Sequence, residues 1–242
     1  MTEVDLFIPC FIDQMFPETG FNMVKVLEKA GCRVHYNPNQ TCCGQPAFNA
    51  GYWKEMEDVG KKFLADFANS DRYVVGPSGS CVGFVRNFYG ELYANTPVHN
   101  YHKNLKKNLF EFSEFLVDVL KVEDFGGKFP AKVTYHDACG ALRECKIKEA
   151  PRKLMSHIAG LELVEMQFPE TCCGFGGTFA VKFEPISTGM ADSKVNDAIA
   201  SGAEYIVSTD YSCLMHIQAY IEKQNRNIKV LHIADLLAMS IA

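Results

Sequence analysis

A chain of 242 residues with a formal net charge of −5 and no long run of like charge has nothing that recruits nucleic acid or an anionic membrane surface. Its start, MTEVDLFIPCFIDQMFPETG, is acidic where a secretory signal is basic, and no stretch approaches the ~20 apolar residues that a membrane-spanning helix needs. A cytosolic (cytoplasmic) protein with no membrane span is expected, and in a reducing compartment ten cysteines point to metal or redox chemistry rather than structural disulfides.

In chain order, VDLFIPC reads as a strand, GFNMVKVLEKAG as a helix closed by Gly31, and CRVHYN as a strand. GYWKEMEDVGKKFLADFANS follows as a helix, RYVVGP as a strand and SGSCVGFVRNFYGEL as a helix. The glycine pair and proline of KVEDFGGKFPAK, Lys121 to Lys132, suit a linker. The same alternation then returns with KVTYH, APRKLMSHIAG, LELVEMQ, ISTGMADSKVNDAIASG, YIVST and YSCLMHIQAYIEKQ. Strands and helices taking turns predict an α/β fold of two pseudo-symmetric Rossmann-like halves, each a small parallel sheet flanked by helices. The expected domains are residues 1–125 and 126–242.

The repetition extends to the cysteines. Cys139 follows Cys10 by 129 positions, Cys172 and Cys173 follow Cys42 and Cys43 by 130, and Cys213 follows Cys81 by 132. The string TCCG occurs at Thr41 and again at Thr171. An internal duplication accounts for this pattern. In open parallel sheets the ligand crevice lies beyond the carboxyl ends of the strands, and every repeated cysteine is predicted to fall there. Two quartets result: Cys10, Cys42, Cys43 and Cys81, then Cys139, Cys172, Cys173 and Cys213.

Four thiolates are soft ligands that suit an iron–sulfur cluster or a tetrahedral zinc ion. The long intervals between them differ from the short knuckles of structural zinc, and vicinal cysteines bind neighbouring metals of a multinuclear cluster more easily than one small ion. An iron–sulfur cluster is therefore favoured for at least one site, with zinc in one half as the alternative. Gly44, Gly174, Gly176 and Gly177 allow close backbone approach and N–H donation to sulfur, or simply mark loops. Asp210 and His136 are additional candidate metal ligands. The alternative for Asp210 is a helix N-cap, and for His136 a donor of a hydrogen bond to a cluster or substrate, or a hydrogen-bonded structural histidine. Ser78 reads as a cap before a ligand, Cys32 and Cys145 as core or incidental thiols, and Arg143 and Lys146 as a solvated charged face before an anion site. No catalytic residue is assigned.

The strings CCGQPAFNAGY, VVGPSGSC, CCGFGGTFAVK, CLMHI and VLHIADLL resemble the cysteine-rich CCG domain family, which includes the CCG-bearing subunit of heterodisulfide reductase and the glycolate oxidase iron–sulfur subunit. Within it they look like the lactate utilisation protein A group over essentially the whole chain. The resemblance implies an iron–sulfur electron-transfer subunit of a cytosolic system oxidising L-lactate to pyruvate. It also implies two partners, a ferredoxin-type iron–sulfur subunit and a third lactate-utilisation protein. Fuller family motifs carry cysteines where this chain has Ser78 and Asp210, which favours an ordinary [4Fe-4S] cluster or zinc over the unusual clusters of disulfide-cleaving relatives. Two further readings are a metal-dependent catalytic subunit acting on a thiol, disulfide or 2-hydroxy acid, and a zinc-bound assembly module.

Overall fold

The computed structural model, which describes residues 1–68 and 71–241, contains two four-stranded, wholly parallel sheets. The first comprises β1 (Thr2–Leu6), β2 (Cys32–Tyr36), β3 (Tyr73–Gly76) and β4 (Leu109–Glu111) in the order β2-β1-β3-β4. The second comprises β5 (Lys128–Tyr135), β6 (Ala159–Leu163), β7 (Tyr205–Ser208) and β8 (Lys229–His232) in the order β6-β5-β7-β8. Helices cover both sheets, so the central strands are buried runs: Val74, Val75 and Gly76 in β3, and Ile206, Val207 and Ser208 in β7, are all buried. The predicted α/β class with two Rossmann-like halves is what the chain forms.

Each sheet has one strand more than the three expected from the sequence. β4 spans only three residues, too few to display a period, and β8 is masked by the apolar run that continues into the Ile233–Ser240 helix. The segment expected to be a linker is also partly strand, because β5 begins at Lys128. Pro130 is tolerated there because the pairing with β6 is irregular between Lys128 and Ala131, and pairing with β7 begins only at Val133. The helix expected over residues 51–70 is observed as Trp53–Phe67, and Asn69 and Ser70 lie outside the described residues.

The halves are related by the duplication and pack reciprocally. The Cys10–Met15 helix meets the Tyr211–Lys223 helix, while the corresponding Gly140–Glu144 turn of π-helix meets the Gly79–Leu92 helix. The Pro17–Lys29 helix lies on Ile233–Ser240 just as Glu149–Ser156 lies on the Phe112–Val119 segment. Both apolar cores draw on both halves. One joins Met23, Val26 and Leu27 to Ile233 and Leu237, and the other joins Phe63, Phe84 and Tyr89 to Cys173 and Ile217.

At the centre of this contact two backbones touch. A Cβ on Gly140 would sit 2.5 Å from the Ser80 Cα, and one on Gly79 would sit 2.5 Å from the Ala141 Cβ. Neither neighbour is the free end of a flexible side chain, so the halves would have to separate. Gly140→Ala is expected to cost about 1–3 kcal/mol in denaturant unfolding, the usual range for overpacking a tight contact.

Glu111 ends β4 completely buried and caps the short helix behind it: one carboxylate oxygen accepts from the Ser113 and Glu114 N–H groups, while the other has no partner. Burial outweighs these hydrogen bonds and pushes its pKa up to about 8. An acid whose folded pKa lies above its unfolded value holds its proton better in the folded state, so its stabilising effect is complete at low pH and is lost as pH rises through the folded value. The contribution of Glu111 to stability should therefore fall between about pH 5 and 8, by up to a few kcal/mol. Glu111→Gln should flatten that slope in urea titrations run across the range.

Candidate metal centres

The sheets deliver their cysteines to one edge. β1 and β3 are neighbours from which the chain departs in opposite directions, to β2 and to β4, so the switch point lies beyond their carboxyl ends. Cys10 opens the helix after β1, Cys42 and Cys43 lie in the loop after β2, and Cys81 lies in the first turn of the helix after β3. In the second half Cys139 follows β5, Cys172 and Cys173 follow β6, and Cys213 lies in the first turn after β7.

The side chains converge as two chains of sulfur contacts. Cys10 Sγ is 3.7 Å from Cys42 Sγ, and sulfur-to-sulfur interactions run on from Cys42 to Cys43 and from Cys43 to Cys81. The second quartet repeats the order, Cys139 to Cys172, Cys172 to Cys173, and Cys173 to Cys213. In each vicinal pair the first thiol favours the thiolate. Cys42 is held down to about 3 by its contacts with Cys10 and Cys43, helped by the Gly44 N–H. Cys172 is held down to about 2 by Cys139 and Cys173, helped by the Gly174 N–H. The remaining partners, Cys10 and Cys43, Cys139 and Cys173, are pushed up by those same sulfurs and by burial.

Backbone geometry makes the N–H donors available. Gly44 and Gly174 adopt φ of 85° and 95°, the left-handed region that glycine enters without penalty, and their N–H groups point at Cys42 Sγ (3.3 Å) and Cys172 Sγ (3.4 Å). Phe175 N–H adds a donor 3.5 Å from Cys173 Sγ. Each loop is braced from behind. Tyr89 Oη donates to the Cys43 carbonyl at 2.7 Å, and Ser187 Oγ donates to the Gly174 carbonyl at 2.8 Å while lying 3.1 Å from His216 Nε2.

The other residues singled out in the sequence fall into three groups. Ser78 caps the Gly79–Leu92 helix by accepting from the Cys81 N–H, as expected. Asp210 occupies the corresponding N-cap position of the Tyr211–Lys223 helix without capping it. Its buried carboxylate instead accepts from Ser78 Oγ (2.8 Å), Ser80 Oγ (2.7 Å) and Ser80 N–H (3.0 Å), three bonds that tie the halves together. Cys32 is in an apolar core, Cys145 Sγ lies 3.4 Å from the Gly79 carbonyl at the junction of the halves, and Arg143 and Lys146 are exposed.

His136 has neither of the hydrogen bonds that a structural histidine or a donor would make. It is wholly buried with both ring nitrogens unpartnered, and burial together with nearby Lys194 pushes its pKa down to about 3, so the ring is neutral. Its ring nitrogen and the sulfurs of Cys173 and Cys213 lie within 4.8 Å of one another, among the described residues the one group of three such ligand atoms this close. The donor set of each quartet suits a soft metal or an iron–sulfur cluster: thiols gathered from separate loops, ranging from buried to solvent-exposed, with backbone N–H groups directed at sulfur.

Lys194, Ser187 and Ser80 were missed in the sequence. Lys194 left a legible signal, since it interrupts the apolar stripe Ala191, Val195 and Ala198 on its helix and is only 1% exposed. Its ammonium is met by the Phe168 and Pro169 carbonyls at 2.7 and 3.2 Å.

Fold and site together define a duplicated α/β protein with one partly buried cysteine quartet at the carboxyl edge of each sheet. The chain belongs to the CCG cysteine-rich domain family, whose model matches it twice, over residues 4–86 and 133–218, and to the group of proteins named lactate utilization protein A. It is 44% identical over 239 residues to lactate utilization protein A of Exiguobacterium sp., covering 98% of this chain and 97% of that one. It is 41% identical over 235 residues to the protein of that name from Geobacillus kaustophilus, covering 97% and 98%. A crystal structure of a hypothetical protein from Helicobacter pylori shares the fold with a TM-score of 0.61 at 12% identity; all of this chain aligns, to 49% of that one. No helix among the described residues is long and apolar enough to cross a membrane.

The carboxylate of Asp210 is the most heavily used polar group at the junction. Asp210→Ala would leave the Ser80 N–H and two hydroxyls without their acceptor, and is expected to lower stability by about 2–4 kcal/mol in chemical denaturation. Asp210→Asn, which keeps a carbonyl oxygen, should cost less.

Proposed function

We propose that this protein is the iron–sulfur electron-transfer subunit of a cytosolic system that oxidises L-lactate to pyruvate. The observation that carries the metal part of the reading is the convergence of two four-thiol groups, each drawn from three separate βα connections. The lactate part is supported by likeness over nearly the full chain to relatives named lactate utilization protein A.

Cys10, Cys42, Cys43 and Cys81 would hold one cofactor, and Cys139, Cys172, Cys173 and Cys213 the other. The favoured group is [4Fe-4S], in one site or both, with zinc as the alternative in one half. An iron–sulfur cluster supplies reversible electron uptake when bound. The residues of this chain bind it through thiolates, direct the Gly44, Gly174 and Phe175 N–H groups at sulfur, and exclude water by burying Cys43, Cys173 and Cys213. Oxidation of lactate releases two electrons and two protons, which the system must pass to an acceptor.

A ferredoxin-type iron–sulfur subunit and a third protein are the partners this reading requires. Exposed apolar side chains follow each CCG loop, Tyr52 and Trp53 in the first half, Val181, Phe183 and Ile186 in the second, and they suit docking beside the sites.

Purification without oxygen, followed by iron, zinc and acid-labile sulfide analysis, tests the assignment. About four iron and four sulfide per occupied site, with a visible absorption that dithionite bleaches, is the expected result. Zinc alone would sink the electron-transfer role. Lactate oxidation by the isolated chain would overturn the subunit assignment in favour of a catalytic one. Substitution of Cys42 or Cys172 by serine should each remove the metal of its own half and leave that of the other.

A further inference from the structure

The duplication allows the surroundings of the two quartets to be compared position by position, and they differ behind the sulfurs. Phe7 and His136 are equivalent: each follows the first strand of its half, and their N–H groups donate to the Val75 and Val207 carbonyls at 3.0 and 2.8 Å. Phe63 and Lys194 are equivalent as well. The buried face of the first helix, Met56, Gly60, Phe63, Leu64 and Phe67, maps with one constant offset onto Ser187, Ala191, Lys194, Val195 and Ala198 of the second. In the first half Phe7 and Phe63 pack edge to face with centroids 4.8 Å apart. In the second half the same two positions carry an imidazole and an ammonium.

The ammonium has two carbonyl acceptors and the imidazole has no partner. Pro169 carbonyl lies near the His136 ring, but it already accepts from the Asp137 N–H at 3.1 Å and from Lys194 Nζ at 3.2 Å. That uses its two lone pairs, and neither ring nitrogen of His136 has a partner at hydrogen-bonding geometry. A fully buried imidazole with both nitrogens unpaired is less favourable than an apolar residue of similar size in its place. The unpaired ring lies with Cys173 Sγ and Cys213 Sγ in one group of ligand atoms within 4.8 Å. Imidazole nitrogen and thiolate sulfur are common companions around a transition metal.

We infer that the two metal sites are chemically different: His136 is a ligand of the second, a mixed nitrogen–sulfur centre with Cys173 and Cys213, whereas the first is bound by sulfur alone. This rests on the metal-binding reading above and deepens it, since neither the quartets nor the relatives assign a nitrogen ligand.

Cobalt(II) alone, titrated without oxygen into the reduced full-length chain, tests it. Two classes of site are expected, with different sulfur-to-cobalt absorption, and X-ray absorption at the cobalt edge should find a nitrogen neighbour in one. His136→Phe, which copies Phe7, should remove the nitrogen neighbour and weaken that class by about tenfold or more while leaving the other unchanged. His136→Cys should restore tight binding with an all-sulfur shell, and it keeps the test decisive if phenylalanine is not accommodated beside Lys194. Identical cobalt affinity and spectra in wild type and both variants would overturn the inference. Failure of the wild type to bind cobalt at either site would overturn the metal-binding reading itself, and this inference with it.

Discussion

The halves meet where two backbones pass without a side chain between them, Gly79 against Ala141 and Gly140 against Ser80. Much of the molecule follows from that contact. Cys81 lies two residues beyond Gly79, and Cys139 immediately precedes Gly140, so the segments that form the interface are the segments that carry a thiol of each quartet. Asp210 fastens the same place from the other side, through Ser78 and Ser80, three residues before Cys213. A displacement of one half against the other would therefore move thiols of both quartets. The shared apolar cores oppose that displacement, because neither core can be divided between the halves without exposing residues of both.

This arrangement answers a difficulty that any partly buried cysteine quartet faces. Neutral thiols are comfortable in a core, and Cys43 and Cys173 are at most 2% exposed. Several thiolates close together without a cation are not comfortable, since each charge is desolvated and repels the next. In each vicinal pair one sulfur is held toward the thiolate by its neighbours, whose own thiols are pushed up. Binding a metal then requires further protons to leave, which makes affinity rise with pH. The backbone N–H groups of Gly44 and Gly174 stabilise negative sulfur in either state.

The alternation of strands and helices was the guide to the parallel topology, and one thiol or thiol pair per βα connection is a pattern that this topology brings to one edge. What stayed hidden had physical causes. The three residues of β4 are too few to show a period, and β8 runs straight into an apolar helix. Asp210 looks like an N-cap from its place between strand and helix, and only the docking of the halves shows that its carboxylate turns outward to Ser78 and Ser80. His136 stood between two roles in the sequence because a histidine's partners are fixed by tertiary neighbours, here by Asp137 and Lys194 claiming the one nearby carbonyl.

The duplication preserved the sulfurs and changed what stands behind them. Around the first quartet the backing is aromatic, with Phe7, Phe63 and Phe67 in mutual ring contact and Met56 against Gly44. Around the second it is polar: Ser187 replaces Met56 and holds the Gly174 carbonyl, His136 replaces Phe7, and Lys194 replaces Phe63. An ammonium in a low-dielectric interior stabilises negative charge on neighbouring sulfur, and a ring pair provides no such field. Similar cysteine spacing therefore does not make identical surroundings. The surroundings of each quartet are set by residues after the first strand and on the long helix that the cysteine pattern does not include, and in the second half one of them, His136, carries two unpaired nitrogens.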